Sequence, residues 1–419
     1  MTAMSPIAPN RTDDSLALQY DFNLGRILRQ RLVPARSLAE GAHALRLTPT
    51  SRPVVDNSRW VVIRPRLSGI CGSDVALLRG ASSPYLAPLV SWPVKLGHEI
   101  VGVVESPDAP WPVGTRVVVN PSLPCEARGL TPCPACSRGR PDDCQRRDDA
   151  TLGPGLLIGF NHQLPGGWSS RLWVPAGGLV PVPDSVDDRR AVLAEPASIA
   201  LQGIDQVDWG QVATTLIIGA GTLGLLSSWL VGLYHPTVAL CQEARYSHQV
   251  AMAQQVADCE VLQPRASGRA VIESPVLDAI AGPVLPRTLG AWPYRPGGFD
   301  LVIDTVGSPQ TVSQSLTLTR PSGQVLLLGG AGRMPLDLTP VWSRRLTLRG
   351  SFGYGGEGTP QNATFQRVVS ALASSPRPVE ALVSHIVPLS DFKNAFRILG
   401  DHKTPSIKVV FQNDLIPTR

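Results

Sequence analysis

Two short segments each offer a metal ligand followed by a carboxylate at the end of a β-like run. Residues 69–74 read Gly-Ile-Cys-Gly-Ser-Asp, and residues 97–99 read Gly-His-Glu. The Cys71 thiolate and the His98 imidazole are both good zinc ligands, and one further ligand with an open fourth position would complete a catalytic zinc site. Taken singly, His98 also fits a hydrogen-bonded core histidine, so a third ligand is needed to favour the metal.

Glu195, in the run Leu-Ala-Glu-Pro at 193–196, is the candidate for that third ligand. No other charged residue occurs between Arg190 and this position. A carboxylate in an apolar run is costly to bury unless a metal or a hydrogen-bond donor satisfies it. The alternative is a glutamate that starts a helix before Pro196.

Four cysteines that lie close together in the sequence predict a second metal site. Cys133 and Cys136 are separated by two residues, Cys144 follows, and Cys125 lies eight positions before Cys133. Four thiolates at about 2.3 Å can close a tetrahedral zinc site with no position left for substrate, which is typical of a structural site. The alternative is four free thiols in a reducing compartment, and the loop 126–132 separates Cys125 from the other three.

A glycine-rich turn follows the apolar run at 216–218 and opens a helical pattern. It reads Gly219-Ala220-Gly221-Thr222-Leu223-Gly224. In a dinucleotide-binding turn the first glycine allows the tight turn, the second lets the backbone approach the pyrophosphate, and the third allows close packing. The helix N-terminus would then supply free amide donors for the phosphates. A glycine-rich turn in any α/β protein is the alternative.

Glu243 supports the nucleotide interpretation, because it lies at the end of the strand predicted after the glycine turn. A carboxylate there can bind both ribose hydroxyls of NAD and would repel the 2′-phosphate of NADP. Arg245 lies two positions further on and weakens that exclusion. The sequence therefore favours NAD and leaves NADP possible.

The composition excludes several other classes of protein. The 419 residues are 43% hydrophobic and 17% charged, which is typical of globular domains with sizeable cores. The net charge of +5 is scattered without a basic run, so neither nucleic acid nor a membrane surface is expected as a partner. The N-terminus has no apolar segment of a secretory signal, and the seven cysteines fit reduced thiols or metal ligands. We expect a cytoplasmic protein.

The secondary-structure elements that must position these residues change along the chain from a β-rich pattern to alternating strands and helices. Residues 1–15 are predicted to form a flexible arm, and the region up to about 190 alternates short apolar runs with turns and lacks a long helical pattern. Residues 200–350 alternate strand and helix, with strands predicted at 215–218, 237–241, 301–303 and 324–328, which indicates a parallel sheet. Within this part, the Pro- and Gly-rich stretch 262–298 is predicted to contain an irregular insertion. Helices at 365–373 and 391–399 and a strand at 407–411 follow.

These motifs, in this order, resemble the zinc-dependent alcohol dehydrogenases of the medium-chain dehydrogenase/reductase superfamily. The resemblance implies an α/β protein in which a Rossmann domain with a doubly wound parallel sheet is inserted in a β-rich GroES-like catalytic domain. The corresponding boundaries are 16–199 for the catalytic domain, with a structural zinc lobe at about 120–148, then 200–350 for the Rossmann domain and 351–419 for the return. The resemblance also implies two zinc ions per chain and a homodimer or homotetramer.

The resemblance assigns roles to individual residues. Cys71 and His98 look like catalytic zinc ligands, and Glu195 resembles the third ligand of the polyol dehydrogenases. Glu99 is similar to a carboxylate that serves as an occasional ligand or as a neighbour of the ligands, and Asp74 resembles the acceptor that orients the histidine.

Two further roles follow from the resemblance. Ser73 matches the hydroxyl that relays the alcohol proton, and Lys408 matches a basic residue on the cofactor pyrophosphate, with a surface lysine at a strand edge as the alternative. The sequence departs from the family at Ala76, where many members end the relay with a histidine, so the relayed proton is expected to leave through water. It also departs in the longer spacing after Cys125 and in the longer interval between Cys71 and His98.

The implied reaction is hydride transfer between an alcohol, such as a polyol, a sugar or a secondary alcohol, or the corresponding carbonyl compound, and NAD(P). One alternative is a zinc-lacking enone or quinone reductase of the same superfamily, and another is a non-catalytic nucleotide-binding protein on this scaffold. The retained Cys71, His98, Glu195 and Ser73 argue against both.

Overall fold

The computed structural model describes residues 15–33, 37–50, 53, 60–107, 111–148, 152–264, 274–285, 294–355, 362–401 and 403–415. Apart from Ser15, the arm predicted at 1–15 lies outside these ranges, as do the parts 265–273 and 286–293 of the predicted insertion. The strands are β1 Leu16–Tyr20, β2 Arg46–Pro49, β3 Trp60–Gly69, β4 Val94–Lys95, β5 Ile100–Val104, β6 Arg116–Val119, β7 Leu172–Pro175, β8 Leu179–Pro181, β9 Thr214–Ile218, β10 Ala239–Glu243, β11 Glu260–Leu262, β12 Phe299–Asp304, β13 Thr319–Leu327, β14 Thr347–Gly350, β15 Val383–Pro388 and β16 Lys408–Gln412. The helices are α1 Leu24–Leu32, α2 Ser37–Ala44, α3 Gly72–Leu78, α4 Pro134–Ser137, α5 Asp188–Ala191, α6 Ala194–Ile204, α7 Thr222–Tyr234, α8 Ser247–Val256, α9 Pro275–Ala281, α10 Pro309–Leu318, α11 Thr339–Ser343, α12 Ala363–Ser374 and α13 Phe392–Gly400.

Strands β9 to β14 form a six-stranded sheet with the order β11-β10-β9-β12-β13-β14, and every neighbouring pair is parallel. Helices α7 to α11 connect successive strands, as parallel crossovers require. Strand order reverses beside β9, because β10 lies on one side of it and β12 on the other. The predicted doubly wound parallel sheet is confirmed, and its switch point lies at the end of β9, where such sheets bind ligands.

The second large sheet joins strands from both ends of the chain. Its order is β15-β16-β3-β5-β6-β8, and β7 also pairs with β3. The C-terminal strand β16 is antiparallel to β3, with Val410 opposite Gly69. The chain after β14 therefore returns to the sheet that carries Cys71 and His98, in agreement with the predicted insertion of one domain in another.

Two features of the N-terminal half differ from the sequence-based expectations. Helices α1 and α2 occupy a region in which no long helical pattern was predicted, and the Asn23 side chain caps α1 by accepting a hydrogen bond from the Arg26 amide at 2.8 Å. Strands β1, β2 and β4 form a small separate sheet beside these helices. The N-terminal part is thus more helical than its alternating apolar runs suggested.

The uncharged run 212–234 contains β9 and α7, with the glycine turn between them. Most of its apolar side chains lie in the protein core. Within the part of the chain that the structure describes, no helix is long and apolar enough to cross a membrane. The hydropathy of this run is therefore that of a buried strand and helix.

Two close backbone approaches fix the strand ends that carry the site. Gly97 has φ +99°, and a Cβ there would lie 2.5 Å from the Trp168 ring. The Trp168 indole N–H donates to the Gly69 carbonyl at 3.1 Å. The buried tryptophan thus ties the end of β3 to the turn before β5.

Candidate active site

Pairing of β3 with β5 brings Cys71 and His98 together. Ser68 lies opposite Ile100 in the antiparallel register, and the Gly69 amide donates to the Glu99 carbonyl at 2.9 Å. Cys71 follows the end of β3, and His98 precedes the start of β5. Two ligand types from separate segments of the sequence therefore lie at the same sheet edge.

Asp74 holds both of these residues from the first turn of α3. The buried carboxylate accepts a hydrogen bond from the Cys71 amide at 2.9 Å, and its other oxygen lies 3.5 Å from His98 Nδ1. Burial alone would lower the pKa of His98, but the negative charges of Asp74 and Cys71 raise it well above its usual value. Asp74 therefore lies on the Nδ1 side of the imidazole, and Nε2 faces Ser73.

Ser73 lies on the open side of this pair. Its hydroxyl oxygen is 3.4 Å from His98 Nε2, and the side chain is exposed. Ala76, on the next turn of α3, offers no proton acceptor. Ser73 therefore lies between His98 Nε2 and solvent.

Glu195 lies in the first turn of α6 and is only 4% exposed. The Tyr354 hydroxyl donates to its Oε1 at 2.5 Å. Burial raises the pKa of Glu195 to about 7, although the nearby His98 and Lys408 oppose this shift, and Glu99 adds to it. The carboxylate thus shares a neighbourhood with His98, and a cation bound there would favour its ionised form.

Glu99 and Lys408 form a buried ion pair next to this site. The Lys408 ammonium lies 2.7 and 2.6 Å from the two carboxylate oxygens and 3.1 Å from the Ile70 carbonyl. A Cβ at Gly69 would lie 1.7 Å from Glu99 Oε2, so glycine is required there.

This pair corrects two expectations. Lys408 is 4% exposed, so the surface alternative is wrong, and its donors are directed at protein oxygens and not at a cofactor phosphate. Because both oxygens of Glu99 are bound by Lys408, the structure does not present Glu99 as a metal ligand. Its position fits the other predicted role, that of a neighbour of the ligands.

The four cysteines form the second cluster. Their sulfur atoms all lie within 4.8 Å of one another, and among the described residues no other group of three or more potential metal ligands meets that distance. Cys125 and Cys144 Sγ are 3.6 Å apart, close to the roughly 3.8 Å edge of a tetrahedron with zinc–sulfur bonds of about 2.3 Å. Cys125 takes part despite the long loop after it, so the donor set fits a closed zinc site.

Amide groups support thiolates in this lobe. The Cys133 amide donates to Cys125 Sγ at 3.3 Å, and the Gln145 amide donates to Cys133 Sγ at 3.5 Å. Burial alone would raise the pKa of Cys133, but hydrogen bonds from backbone amides lower it to about 6, whereas burial raises the pKa of Cys125 and that of Cys136. Thiolates are the form that binds zinc.

The glycine turn has the shape that a pyrophosphate requires. Gly219 has φ +97°, and a Cβ at Gly224 would lie 1.8 Å from the Gly219 carbonyl oxygen, so helix α7 packs directly on the turn. Apart from Gly221 itself and its two neighbours in the chain, no atom of the described residues lies within 4 Å of the position of a Cβ at Gly221, which leaves room for a ligand. Thr222 and Leu223 form the first turn of α7, whose N-cap has no side-chain hydrogen bond.

Glu243 ends β10, and the Gln314 side-chain amide donates to its Oε2 at 2.5 Å. Strand β10 begins and ends two residues later than predicted, because a turn continues to Val238, whose amide donates to the His235 carbonyl. Burial raises the pKa of Glu243, opposed by Gln314 and Arg245. Arg245 is exposed just beyond the strand.

Three residues near the site were not predicted from the sequence. Tyr354 binds Glu195, Asp142 binds the backbone amides of Tyr354 and Gly355 at 2.7 Å each, and the Phe160 ring lies 5.5 Å from the His98 ring. Tyr354 follows Phe352 in the segment Ser351-Phe352-Gly353-Tyr354-Gly355 after β14, and a tyrosine among glycines was the available signal.

Comparison with known proteins identifies the family. Residues 57–184 match the alcohol dehydrogenase GroES-like domain, and residues 288–374 match the zinc-binding dehydrogenase domain. The chain belongs to the zinc-dependent alcohol dehydrogenases of the medium-chain dehydrogenase/reductase superfamily. Members of this family use zinc and NAD(P), and the chain is an NAD(P)-dependent oxidoreductase that acts on small alcohols or carbonyl compounds.

Relatives within this family include sugar and polyol enzymes. The chain is 25% identical to D-xylulose reductase A of Aspergillus oryzae, over 85% of its own length and 91% of the relative. It is 25% identical to L-idonate 5-dehydrogenase (NAD(P)(+)) of Escherichia coli, over 86% of its length and 94% of the relative. The crystal structure of 2R,3R-butanediol dehydrogenase from Bacillus subtilis, 18% identical, superposes with a TM-score of 0.69 over 96% of this chain and 100% of the other, and so shares the fold.

Proposed function

We propose that the chain oxidises a secondary hydroxyl group of a polyol or sugar derivative, with zinc and preferably NAD. The observation that carries this proposal is the buried Glu195 carboxylate in the neighbourhood of His98, although the ligand atoms of Cys71, His98 and Glu195 do not all lie within 4.8 Å of one another. A glutamate at this position is the feature by which the sequence resembles polyol dehydrogenases. The sugar and polyol relatives support the same substrate class.

Cys71, His98 and Glu195 would hold the catalytic zinc, and Cys125, Cys133, Cys136 and Cys144 would hold the structural one. When bound, the catalytic zinc supplies a Lewis acid that lowers the pKa of an alcohol, and NAD supplies the hydride acceptor. Three protein ligands leave one position for substrate, whereas four thiolates leave none. The two sites therefore differ in function as they differ in ligand number.

The residues of the chain handle the proton and the geometry. Ser73 would accept the alcohol proton and pass it to solvent, since its hydroxyl is exposed beside His98 Nε2. Asp74, 3.5 Å from Nδ1, would orient the imidazole from that side. The Lys408 ammonium balances Glu99, so that the negative charge next to the ligands is limited.

A panel of polyols, sugars and hydrophobic alcohols, assayed with NAD and NADP, tests the function. We expect the highest kcat/KM for a polyol or sugar alcohol oxidised at a secondary carbon, in protein that contains two zinc ions per chain. A simple primary alcohol would serve as the control within the panel. A preference for that primary alcohol, or for reduction of an enone without zinc, would contradict the proposal.

Cofactor preference can be tested at Glu243. The Glu243→Ser variant is expected to lower the NAD/NADP ratio of kcat/KM by about 10-fold or more, because it removes a ribose ligand and a charge that repels the 2′-phosphate. Steady-state kinetics with both cofactors give this ratio. Glu260→Ser, at the exposed start of β11, removes the same charge elsewhere on the sheet and should leave the ratio unchanged. A wild-type enzyme that prefers NADP would contradict the assignment.

We also propose that the protein is cytoplasmic and that it forms a homodimer or a homotetramer. These two proposals rest on the family resemblance and on four cysteines whose metal binding requires reduced thiols.

A further inference from the structure

Glu195 has a partner that comes from a distant part of the chain. Tyr354, 159 positions later, donates its hydroxyl proton to Oε1 at 2.5 Å, and both side chains are buried. Among the hydrogen bonds of the described residues, Glu195 accepts one at Oε1 and none at Oε2. The Tyr354 hydroxyl thus occupies one of the two carboxylate oxygens.

Tyr354 is itself held from two sides. Its ring packs against Phe365 of α12, with centroids 5.2 Å apart. Its backbone amide and that of Gly355 both donate to Asp142 Oδ2 at 2.7 Å, while the Ser122 hydroxyl donates to Oδ1 at 3.0 Å. A tyrosine held at both ring and backbone has little freedom to move its hydroxyl.

Asp142 belongs to the cysteine lobe, two residues before Cys144. The segment before Tyr354 can approach this carboxylate because residue 353 is glycine: a Cβ there would lie 2.4 Å from Asp142 Cγ, and its φ of +86° favours glycine. The Gln202 side chain, on the same helix as Glu195, also donates to the Gly355 carbonyl at 3.0 Å. The lobe, the 353–355 segment and α6 are therefore connected by direct contacts.

We propose that Tyr354 is a positioning residue that orients Glu195 for metal binding, and that Asp142 couples this orientation to the four-cysteine lobe. This inference rests on the proposed function, in which Glu195 is a ligand of the catalytic zinc. The lobe then has a second role besides its own stability. It fixes the backbone from which the third ligand is oriented.

The Tyr354→Phe variant tests the first part, since it removes only the hydroxyl and keeps the ring on Phe365. Groups that orient metal ligands typically change metal affinity by about 10- to 100-fold, so we expect a loss of this size at the catalytic site with the lobe zinc retained. The readouts are zinc per chain after dialysis against a chelator and the visible absorption spectrum after Co²⁺ replacement. Tyr20→Phe is the matched control, because Tyr20 is buried and its hydroxyl has no partner among the described residues.

A Glu195→Gln variant, measured in parallel, distinguishes the ligand role of Glu195 from the positioning role of Tyr354. Two retained zinc ions and normal turnover in Glu195→Gln would overturn the proposed ligand set itself. Loss of one zinc in Glu195→Gln, with wild-type metal retention and Co²⁺ spectrum in Tyr354→Phe, would overturn only the positioning role. Loss in both, with Tyr20→Phe like wild type, supports it.

Coupling to the lobe is tested by Asp142→Ala and by the double variant with Tyr354→Phe. Asp142→Ala removes the oxygen that accepts from both the Tyr354 and the Gly355 amide, so it should weaken the catalytic metal. If both residues act through Glu195, the double variant should lose little more than Tyr354→Phe alone. Additive losses in the double variant, or an unchanged catalytic site in Asp142→Ala, would refute the coupling.

Discussion

A Cys71→Ser variant is expected to lose at least about 1000-fold in kcat/KM while it retains the zinc of the four-cysteine lobe. A Lewis acid contributes several kcal/mol to stabilising charge in the transition state, and a change of about 1.4 kcal/mol corresponds to a factor of ten in rate. Serine is a poor zinc ligand at neutral pH because its hydroxyl stays protonated. Zinc analysis of the purified variant, together with steady-state kinetics, measures both parts.

Cys259→Ser is the control for this loss. Cys259 is half-buried beside helix α8, where its thiol contacts the Ala253 carbonyl, far in the fold from His98. We expect two zinc ions and near-normal turnover in that variant. Two zinc ions and normal turnover in Cys71→Ser would instead remove the thiol from the active site.

Local chemistry explains which parts of the site could be predicted from the sequence. The turn 219–224 was recognisable because its glycines meet constraints within a few residues: a φ of +97° at Gly219 and contact of Gly224 with the Gly219 carbonyl. The four cysteines were recognisable because one short lobe supplies all of them. To predict that Cys71 and His98 lie together, it was enough that the two strands beside them end at the same edge of the sheet.

Contacts between distant residues could not be predicted in the same way. Glu99 and Lys408 are 309 positions apart, and Glu195 and Tyr354 are 159 apart. Each pair forms only because the C-terminal part of the chain returns to the first sheet, and no local pattern encodes which lysine or tyrosine arrives there. The sequence therefore indicated the ligands more readily than the residues that orient them.

Helix α1 shows an error of a different kind. Leu24, Ile27, Leu28 and Leu32 have helical spacing, and Asn23 is a favourable N-cap, so the signal was present. The alternating apolar runs that follow predict a β-rich domain, and their signal is stronger than that of one short helix. The helix is short, and only one of its side chains, Gln30, is buried, which explains why hydrophobic periodicity alone was weak.

A Cys133→Ser variant should lose the lobe zinc and a large part of the stability of the lobe. The core of the lobe consists of Cys125, Cys133, Ala135 and Cys144, so that little apolar surface remains if the metal is lost. In such sites the binding free energy of the metal is folding free energy, roughly 10–16 kcal/mol in small zinc peptides. Loss of even about 3 kcal/mol would lower the melting temperature of a domain of 150–250 residues by roughly 6–12 °C.

Calorimetry with zinc analysis measures this loss, and Ser137→Ala provides the control within the lobe. The Ser137 hydroxyl is exposed and makes only a long contact, 3.5 Å, with the Pro132 carbonyl, so its removal should change neither zinc content nor melting temperature. If Cys133→Ser keeps two zinc ions and the wild-type melting temperature, the lobe is not a zinc site. If it loses stability, Asp142 is released together with Cys144, and turnover should fall as well because the backbone that holds Tyr354 against Glu195 is no longer anchored.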